Sequence, residues 1–368
     1  MNFFENGFLK SEVFNLLLDK LKNDKNPGSP LCFVSPRNDG LTKYHGLMKL
    51  ALERRVAKLI DLGKRVRKGW DLPDAYDLVA DGYTDPVLLT LKGEPRKVGK
   101  NPRLVASVSC LVNSMQRLVF GDLLLDNQKC KTVPFATELD LATPSSRQAM
   151  YEKFAAEKPL SSSDVQGWEY SVRPEDRWMD CIRLAYQCGV IKFDQEKIVI
   201  VNFDHYHAML GLMYSLINRL IQFPDGTFHV PAPGQMSSGE LITFDSNSFM
   251  RSRLSNKVSL MKFGVPVRFT FSAGDDNLDT NPDLSDVYLS LGFKITDFVI
   301  QRDVFSFCSH SFHDGFAYGE NIEKTVYAIA VKREFSWEDK VSFEMNFSHH
   351  PLYAEYQRLL CEFFRQEW

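Results

Sequence analysis

The sequence predicts an α+β fold with a central antiparallel sheet, because strand-like and helix-like segments alternate through its middle stretch. Residues 197–201 read Lys-Ile-Val-Ile-Val, and residues 265–271 alternate apolar and polar positions before a glycine, as strands do. Residues 206–221 and 246–261 have helical patterns. Alternation of this kind, over about residues 155–315, is typical of an α+β domain.

The flanking stretches are predicted to be more helical. A helix is predicted from Lys49 to Lys68 because apolar residues recur at helical spacing. Its polar positions are rich in basic residues: Arg54, Arg55, Lys58, Lys64, Arg65, Arg67 and Lys68. Such a run is either a solvated helix face or a wall along a phosphate backbone, and the sequence leaves both open. The last 50 or so residues hold one clear predicted helix, over 351–367.

The composition is that of a soluble globular enzyme, with 44% hydrophobic and 25% charged residues. A net charge of −3 argues against a uniformly basic surface, so a nucleic-acid partner would have to meet local basic clusters. The seven cysteines are scattered without a CxxC pair, which indicates reduced thiols in a cytosolic setting. Neither a signal peptide nor an 18-residue apolar stretch is visible, so we expect no transmembrane segment.

Two carboxylate-bearing loops have the residue types of a phosphoryl-transfer site. One contains Asp164 and ends at Glu169, and the other places Asp275 and Asp276 directly after Gly274 and an apolar strand. Two adjacent carboxylates are costly to ionise together without a cation nearby, although Gly, Asp and Asn are also common in ordinary exposed turns. Catalysis by two Mg²⁺ ions needs hard oxygen ligands on rigid elements. An aspartate at a strand end and another in a neighbouring hairpin turn would meet that need.

Between these loops lies a small-residue segment that opens into a helix. It contains Ser238, Gly239, Thr243 and Asn247, so hydroxyl and amide groups recur near the helix start. Such groups are suited to reading a sugar hydroxyl, while the alternative is an ordinary capped helix N-terminus.

The order of these motifs resembles a known family. Asp-x₄-[Asp/Glu], Ser-Gly-x₃-Thr-x₃-Asn and Gly-Asp-Asp resemble motifs A, B and C of the RNA-dependent RNA polymerases of positive-strand RNA viruses. The residues within these motifs are most similar to those of sobemovirus-like and luteovirus-like (solemovirid) enzymes. Residues 92–109 resemble the basic motif F, 26–30 motif G, 291–294 motif D and 307–310 motif E.

The resemblance implies a role for each matching residue. Asp164 and Asp275 would ligate two Mg²⁺ ions, with Mn²⁺ as an alternative, and Asp276 would assist them or bind more loosely. A ribose pocket would select NTPs through the 2′-hydroxyl, and its residues would be Glu169, Ser238, Gly239, Thr243 and Asn247. The incoming triphosphate would be held by Lys92, Lys97, Lys100 and Arg103. Glu169 stands where the family usually has Asp. Lys294 would protonate the pyrophosphate leaving group, and a solvated lysine at a strand end is an equal alternative.

The family architecture is a right hand with fingers, palm and thumb, and the palm is built on an antiparallel sheet. We expect fingers and fingertips in 1–150 with motifs G and F, and motif A of the palm in 151–171. A fingers insertion would occupy 172–230, the palm motifs B to E 231–315, and a small helical thumb 316–368.

The implied function is template-directed RNA synthesis for viral replication and transcription. The implied partners are NTPs, a single-stranded RNA template and the nascent duplex, with a genome-linked or membrane-anchoring viral protein as further candidates. The expected location is the host cytoplasm, at membrane-associated replication complexes reached through partners. Two alternatives stay open: a reverse transcriptase or DNA polymerase on the same palm, and a non-catalytic RNA-binding protein of the same shape.

Overall fold

The computed structural model describes residues 4–5, 8–19, 21, 26–35, 37–93, 99, 103–125, 143–195, 197–332 and 335–365. Over these residues the chain divides into two compact units. Unit 1 consists of Met1–Leu91, Leu104–Val133 and Gly167–Ser246, and unit 2 of Lys92–Arg103, Pro134–Gln166 and Asn247–Trp368.

Helices and strands alternate along most of the described chain. The helices are α1 (Ser11–Asp19), α2 (His45–Lys68), α3 (Ala75–Ala80), α4 (Cys110–Leu125), α5 (Pro144–Ala155), α6 (Trp168–Ser171), α7 (Pro174–Gln187), α8 (Phe203–Ile217), α9 (Thr243–Phe263), α10 (Ser285–Ser290), α11 (Ile322–Ala330), α12 (Trp337–Phe347) and α13 (Tyr353–Phe364). The strands are β1 (Phe4–Glu5), β2 (Phe8–Leu9), β3 (Val87–Leu91), β4 (Leu104–Ser107), β5 (Leu160–Val165), β6 (Ile191–Asp194), β7 (Lys197–Ile200), β8 (Ile221–Gln222), β9 (Phe228–His229), β10 (Thr270–Ala273), β11 (Asp276–Asp279), β12 (Ile295–Gln301), β13 (Phe305–Phe307), β14 (His310–His313) and β15 (Phe316–Gly319). Short 3₁₀ helices cover Leu31–Phe33 and Asn38–Tyr44.

Unit 2 contains a four-stranded antiparallel sheet in the order β10-β11-β5-β12. One apolar cluster joins this sheet to α5 and to the β13–β15 hairpins. Phe154 lies at its centre, fully buried, with the rings of Phe271, Phe305, Phe307 and Phe312 at centroid distances of 5.5 to 5.9 Å. Edge-to-face packing of this kind adds to the burial of apolar area and makes the sheet a rigid base.

Unit 1 is built around α2, α4, α7 and α8, whose apolar faces share one large core. A second sheet in the order β4-β3-β8-β9 belongs to this unit. On α2, the Arg55 guanidinium pairs with the Asp85 carboxylate, and Arg65 pairs with Asp71 at 3.2 Å. The basic run is therefore partly a structural face. Arg54, Lys58, Lys64, Arg67 and Lys68 are exposed on the same helix.

Several predicted element boundaries were wrong. The strand predicted over 265–271 begins only at Thr270, because its partner strand β11 ends at Asp279, which pairs with Thr270. The helix predicted over 206–221 begins earlier, because the Asn202 side chain accepts the His205 N–H as an N-cap. It ends at Ile217, and Ile221 belongs to β8 instead.

The predictions near Asp164 and at the C-terminus also need correction. Asp164 lies within β5 and not in a loop. Three helices, α11 to α13, follow residue 320 where one was predicted, and they share a core around Phe343 and Phe347. The last of them is shorter than predicted, because Arg365 adopts a left-handed conformation with φ of 51°. Within the described residues no helix is both long and apolar enough to cross a bilayer.

Candidate active site

The predicted catalytic carboxylates lie on neighbouring strands of the unit 2 sheet. In the antiparallel pair of β11 with β5, Leu278 faces Ser162 and Asp279 faces Ser161. Continuing that register by two residues brings Asp276 opposite Asp164. Both side chains line one cleft, together with Asp297 of β12, which is the direct partner of Asp164 on its other side. The structure therefore brings motifs A and C together.

A two-residue turn presents Asp275 at the end of the β10–β11 hairpin. Ala273 pairs with Asp276, which leaves Gly274 and Asp275 as the turn. Gly274 has a φ of +67°, a conformation that a side chain would strain. The Gly274 N–H donates to the Ser248 hydroxyl of α9 at 2.8 Å, so the helix of motif B fixes the turn of motif C.

A network of buried polar side chains fixes the position of this hairpin. The Asn277 carboxamide accepts hydrogen bonds from the hydroxyls of Thr270 and Ser272 and donates to Asp279 at 2.9 Å. Asp279 also accepts from Ser161 of β5 at 2.9 Å and from Ser255 of α9. Because this network joins β10, β11, β5 and α9, it specifies one position for the turn.

The Asp276 carboxyl is placed where ionisation is difficult. Solvent reaches part of the side chain, but protein atoms surround most of the carboxyl. Burial and the charges of Asp275 and Asp164 raise its pKa to about 6, while a hydrogen bond from the Cys308 thiol and the positive charge of Arg251 act in the opposite direction. Cys308 reaches this point because it and Ser309 both have positive φ in the two-residue β13–β14 turn.

We expect the substitution Asp276→Asn to raise the melting temperature at pH 7.5 in EDTA. A carboxyl whose pKa is raised on folding destabilises the folded state at pH values above the raised pKa. For Asp276 this destabilisation is complete above about pH 6 and is lost as the pH falls from about 6 to the ordinary value of 3.8. The change for a partly solvated group is on the order of a few tenths of a kcal/mol. Thermal unfolding in EDTA and in Mg²⁺ would measure it, with Asp314→Asn in an exposed turn as the control. A lower melting temperature for Asp276→Asn would contradict the expectation.

The carboxylates fit magnesium chemistry without forming a closed cage. Over the described ranges, no three His, Cys, Asp or Glu side chains are close enough together to hold an ion by themselves. Mg²⁺ is commonly bound by one or two carboxylates, with waters and substrate phosphates completing its shell. Asp164 and Asp275 are exposed and offer such open carboxylates, and the Thr296 hydroxyl donates to Asp164 at 3.2 Å.

The loop before α9 is fixed within unit 1 by buried charge and close backbone contact. Glu240 is buried between Arg177 at 2.7 Å and Arg219 at 3.5 Å, and burial lowers the pKa of Arg219 to about 10. The Ser238 hydroxyl accepts the Ala106 N–H at 3.4 Å. These contacts give the loop a single position.

Thr243 and Glu169 meet the same loop. The Thr243 hydroxyl donates to the Ser237 carbonyl at 2.7 Å, so it already has a structural partner. The Glu169 carbonyl accepts the Met236 N–H at 2.9 Å, and its carboxylate is exposed. Asn247 follows one helical turn after Thr243 on α9.

The structure describes only some of the basic residues predicted to bind the triphosphate. Lys92 and Arg103 are exposed, and the Lys92 N–H donates to the Arg103 carbonyl at 2.9 Å. Lys97 and Lys100 lie outside the described residues. The Lys294 carbonyl accepts the Gln166 N–H at 2.9 Å, which places this exposed lysine beside the end of β5.

Sequence comparison finds viral relatives. The chain is 26% identical over 342 residues to protein P2-P3 of Poinsettia latent virus, covering 88% of this chain and 29% of that protein. It is 24% identical over 330 residues to protein P1-P2 of a Dutch strain of Potato leafroll virus, covering 85% of this chain and 29% of that protein. The chain thus spans less than a third of these relatives. No family model matches it.

Structural comparison decides the fold. The chain matches the crystal structure of the RNA-dependent RNA polymerase of a human picorbirnavirus with a TM-score of 0.57 and 14% identity, covering 76% of this chain and 55% of that one. A variant of that polymerase lacking an insertion loop matches equally well. This is the fold of a viral RNA-dependent RNA polymerase. The predicted α+β right-hand class and the predicted luteovirus-like relationship are confirmed.

Some residues at the site of this polymerase fold were not predicted from the sequence. Asp297 faces Asp164, Asp279 anchors the hairpin, and Arg251 is fully buried behind β5. One available signal was the serine spacing on α9, where Ser248, Ser252, Ser255 and Ser259 follow a helical period. Four buried serines on one helix face indicate a polar partner. For Arg251 the sequence offers no signal, because arginine in a helix usually means a solvated face.

Proposed function

We propose that this chain carries out template-directed RNA synthesis from NTPs by two-metal phosphoryl transfer with release of pyrophosphate. The observation that carries the proposal is the placement of Asp164 and Asp276 in one cleft on adjacent strands, with Asp275 in a turn fixed by Ser248. Two metal ions bound there, Mg²⁺ or Mn²⁺, would stabilise charge on the attacking and leaving oxygens.

The chain's own residues would supply position and charge. Asp164 and Asp275 would hold the ions, and Asp276 would complete the negative pole when ionised. Lys92, Lys97, Lys100 and Arg103 would bind the triphosphate, because cationic groups offset charge on the transferred phosphoryl group. Lys294, beside the end of β5, would donate a proton to pyrophosphate.

The sugar would be read at Asn247. This side chain is only 6% exposed, and among the residues that the structure describes its buried Oδ1 atom has no hydrogen-bond partner. A buried acceptor without a partner is costly, and a ribose 2′-hydroxyl would supply the missing donor. The family resemblance gives Glu169, Ser238, Gly239 and Thr243 the same task of reading the sugar.

We expect Asn247→Ala to reduce the preference for NTPs over dNTPs. Loss of one hydrogen bond to a buried group is worth about 1–3 kcal/mol, which corresponds to roughly 5- to 150-fold in relative kcat/KM. Single-nucleotide incorporation of ATP and dATP would measure the ratio. Asn256→Ala, on the same helix with its amide bonded to the Ser252 carbonyl, is the control. An unchanged ratio in Asn247→Ala would remove this residue from sugar recognition.

The domain roles follow the family architecture. Residues 1–150 and 172–230 would form the fingers, 151–171 and 231–315 the palm, and 316–368 the thumb. Single-stranded template and nascent duplex would be bound electrostatically by basic clusters such as the exposed face of α2, so binding should weaken as salt rises. We further propose action in the host cytoplasm, at membrane-associated complexes reached through a genome-linked or membrane-anchoring viral protein.

Incorporation of labelled NTPs on a single-stranded RNA template, with and without Mg²⁺, tests the proposal. RNA synthesis that requires Mg²⁺ and the template supports it. A preference for dNTPs would favour a reverse transcriptase or DNA polymerase instead. RNA binding without any synthesis would favour a non-catalytic protein of the same shape.

A further inference from the structure

Arg251 is a fully buried cation in unit 2, and the groups that its guanidinium meets in the described residues are neutral. Its side chain is 0% exposed. Among the residues that the structure describes, its guanidinium contacts Ser163 and Tyr288 and no carboxylate. Its Nε atom is buried and has no hydrogen-bond partner within the described part of the chain. Burying an ion without a direct ion pair is energetically unfavourable, so a charged side chain at this position calls for a physical reason.

The contacts of Arg251 connect two parts of the proposed site. One Nη atom donates to the carbonyl and hydroxyl of Ser163, at 3.1 Å to the carbonyl, and Ser163 directly precedes Asp164 on β5. The other donates to the Tyr288 hydroxyl of α10 at 3.2 Å. On its own helix, α9, Arg251 lies one turn after Asn247. A planar guanidinium that bonds at two ends fixes orientation better than an ammonium.

The charge of Arg251 also has a counterpart at a distance. Ser163, which accepts hydrogen bonds from Arg251, also lines the acidic cleft. The cleft in front of it is lined by Asp164, Asp276 and Asp297. The acidic cleft thus compensates in part for a cation that lacks a direct ion pair.

We propose that Arg251 is a positioning residue that couples sugar recognition on α9 to the placement of Asp164 on β5. This inference rests on the proposed function and adds a residue to it. When a ribose 2′-hydroxyl binds Asn247, the position of α9 is fixed. Through its hydrogen bonds to Ser163, Arg251 then holds β5, and with it Asp164, in the matching position. Without Arg251 a correct sugar would still bind, but it would no longer align the metal-binding carboxylate.

The proposal predicts different effects on binding and on turnover. In Arg251→Met, which removes the charge and the hydrogen bonds at similar length, we expect kcat for ATP to fall about 10²-fold, as for a misplaced catalytic group. The kcat for dATP should fall much less, so the turnover preference for ATP narrows. Equilibrium binding of ATP and dATP, measured by calorimetry in Ca²⁺, should keep the wild-type preference because Asn247 is intact.

Three further variants make the experiment decisive. Arg251→Lys keeps the charge without the two-ended geometry and should recover only part of the ATP turnover. Ser163→Ala removes one acceptor of the guanidinium and should narrow the turnover preference in the same direction, which keeps the test available if Arg251→Met does not fold. Lys257→Met removes an exposed charge from the same helix and should match the wild type. Thermal unfolding of each variant separates misfolding from altered turnover.

The outcomes are distinguishable. An equal fall of ATP and dATP turnover in folded Arg251→Met and Ser163→Ala would make Arg251 a purely structural residue and overturn the inference. A lost binding preference for ATP would place Arg251 in the sugar pocket and also overturn it. If the wild type makes no RNA on a template in Mg²⁺, the proposed function itself fails, and this inference fails with it.

Discussion

Asp275→Ala is expected to abolish RNA synthesis while leaving the fold intact. Asp275 is exposed in a two-residue turn, and the hydrogen bonds that position the hairpin come from Gly274, Asn277 and Asp279. The substitution therefore removes a proposed metal ligand without breaking that network. Metal stabilisation of the transition state is worth several kcal/mol, so the rate should fall on the order of 10³-fold or more. Labelled NTP incorporation in Mg²⁺ would measure it.

Asp314→Ala is the matched control for this experiment. Asp314 is also an exposed aspartate beside a glycine in a two-residue hairpin turn of unit 2, between β14 and β15. We expect its activity and melting temperature to stay at the wild-type level. RNA synthesis by Asp275→Ala at more than a tenth of the wild-type rate would contradict the metal assignment. Equal losses in both variants would mean that any change in a turn disturbs the sheet.

The local structure around the predicted carboxylates could be anticipated from the sequence because each motif is local. Gly-Asp-Asp after an apolar strand encodes a hairpin turn within a few residues, and the structure has that turn at Gly274 and Asp275. No local pattern indicates that Asp164 and Asp275 lie close together in space; that expectation came from the family resemblance. The pairing of β5 with β11 then places the two motifs side by side.

What supports the site was not predictable from local patterns. Asp279 is a buried carboxylate with neutral hydrogen-bond donors from β5, β11 and α9, and nothing in its own neighbourhood in the sequence indicates them. Glu240 likewise owes its burial to Arg177 and Arg219, which lie 63 and 21 positions away by numbering. Such contacts depend on tertiary packing, which overrides the usual preference of charged residues for the surface.

Element boundaries failed for a related reason. Periodicity indicates that a segment is helical or extended, but caps and backbone donors decide where it stops. The Asn202 cap begins α8, and the end of the partner strand β11 at Asp279 limits β10; an apolar pattern registers neither effect.

Gly239→Ala is expected to damage catalysis more than stability. A Cβ atom at residue 239 would lie 2.0 Å from the Ala106 carbonyl oxygen and 3.1 Å from the Val108 nitrogen. Because both are backbone atoms of unit 1, no side-chain rotation relieves the overlap, and the loop itself must move. Overpacking of this kind costs about 1–3 kcal/mol of stability, whereas a shift of about 1 Å in a substrate-positioning loop lowers the rate roughly 10²-fold.

The loop shift would act on residues that the proposal gives to the ribose pocket. The Gly239 carbonyl accepts the Asn113 amide at 3.3 Å, and the neighbouring Ser238 hydroxyl meets the Ala106 N–H, so moving residue 239 disturbs both. Gly46→Ala is the control, because nothing lies within 4 Å of its added Cβ at the start of α2. There the melting temperature should be unchanged or slightly higher. Rate and thermal unfolding measured together decide the matter: near-wild-type synthesis by Gly239→Ala would show that the loop tolerates displacement and is not part of a preorganised pocket.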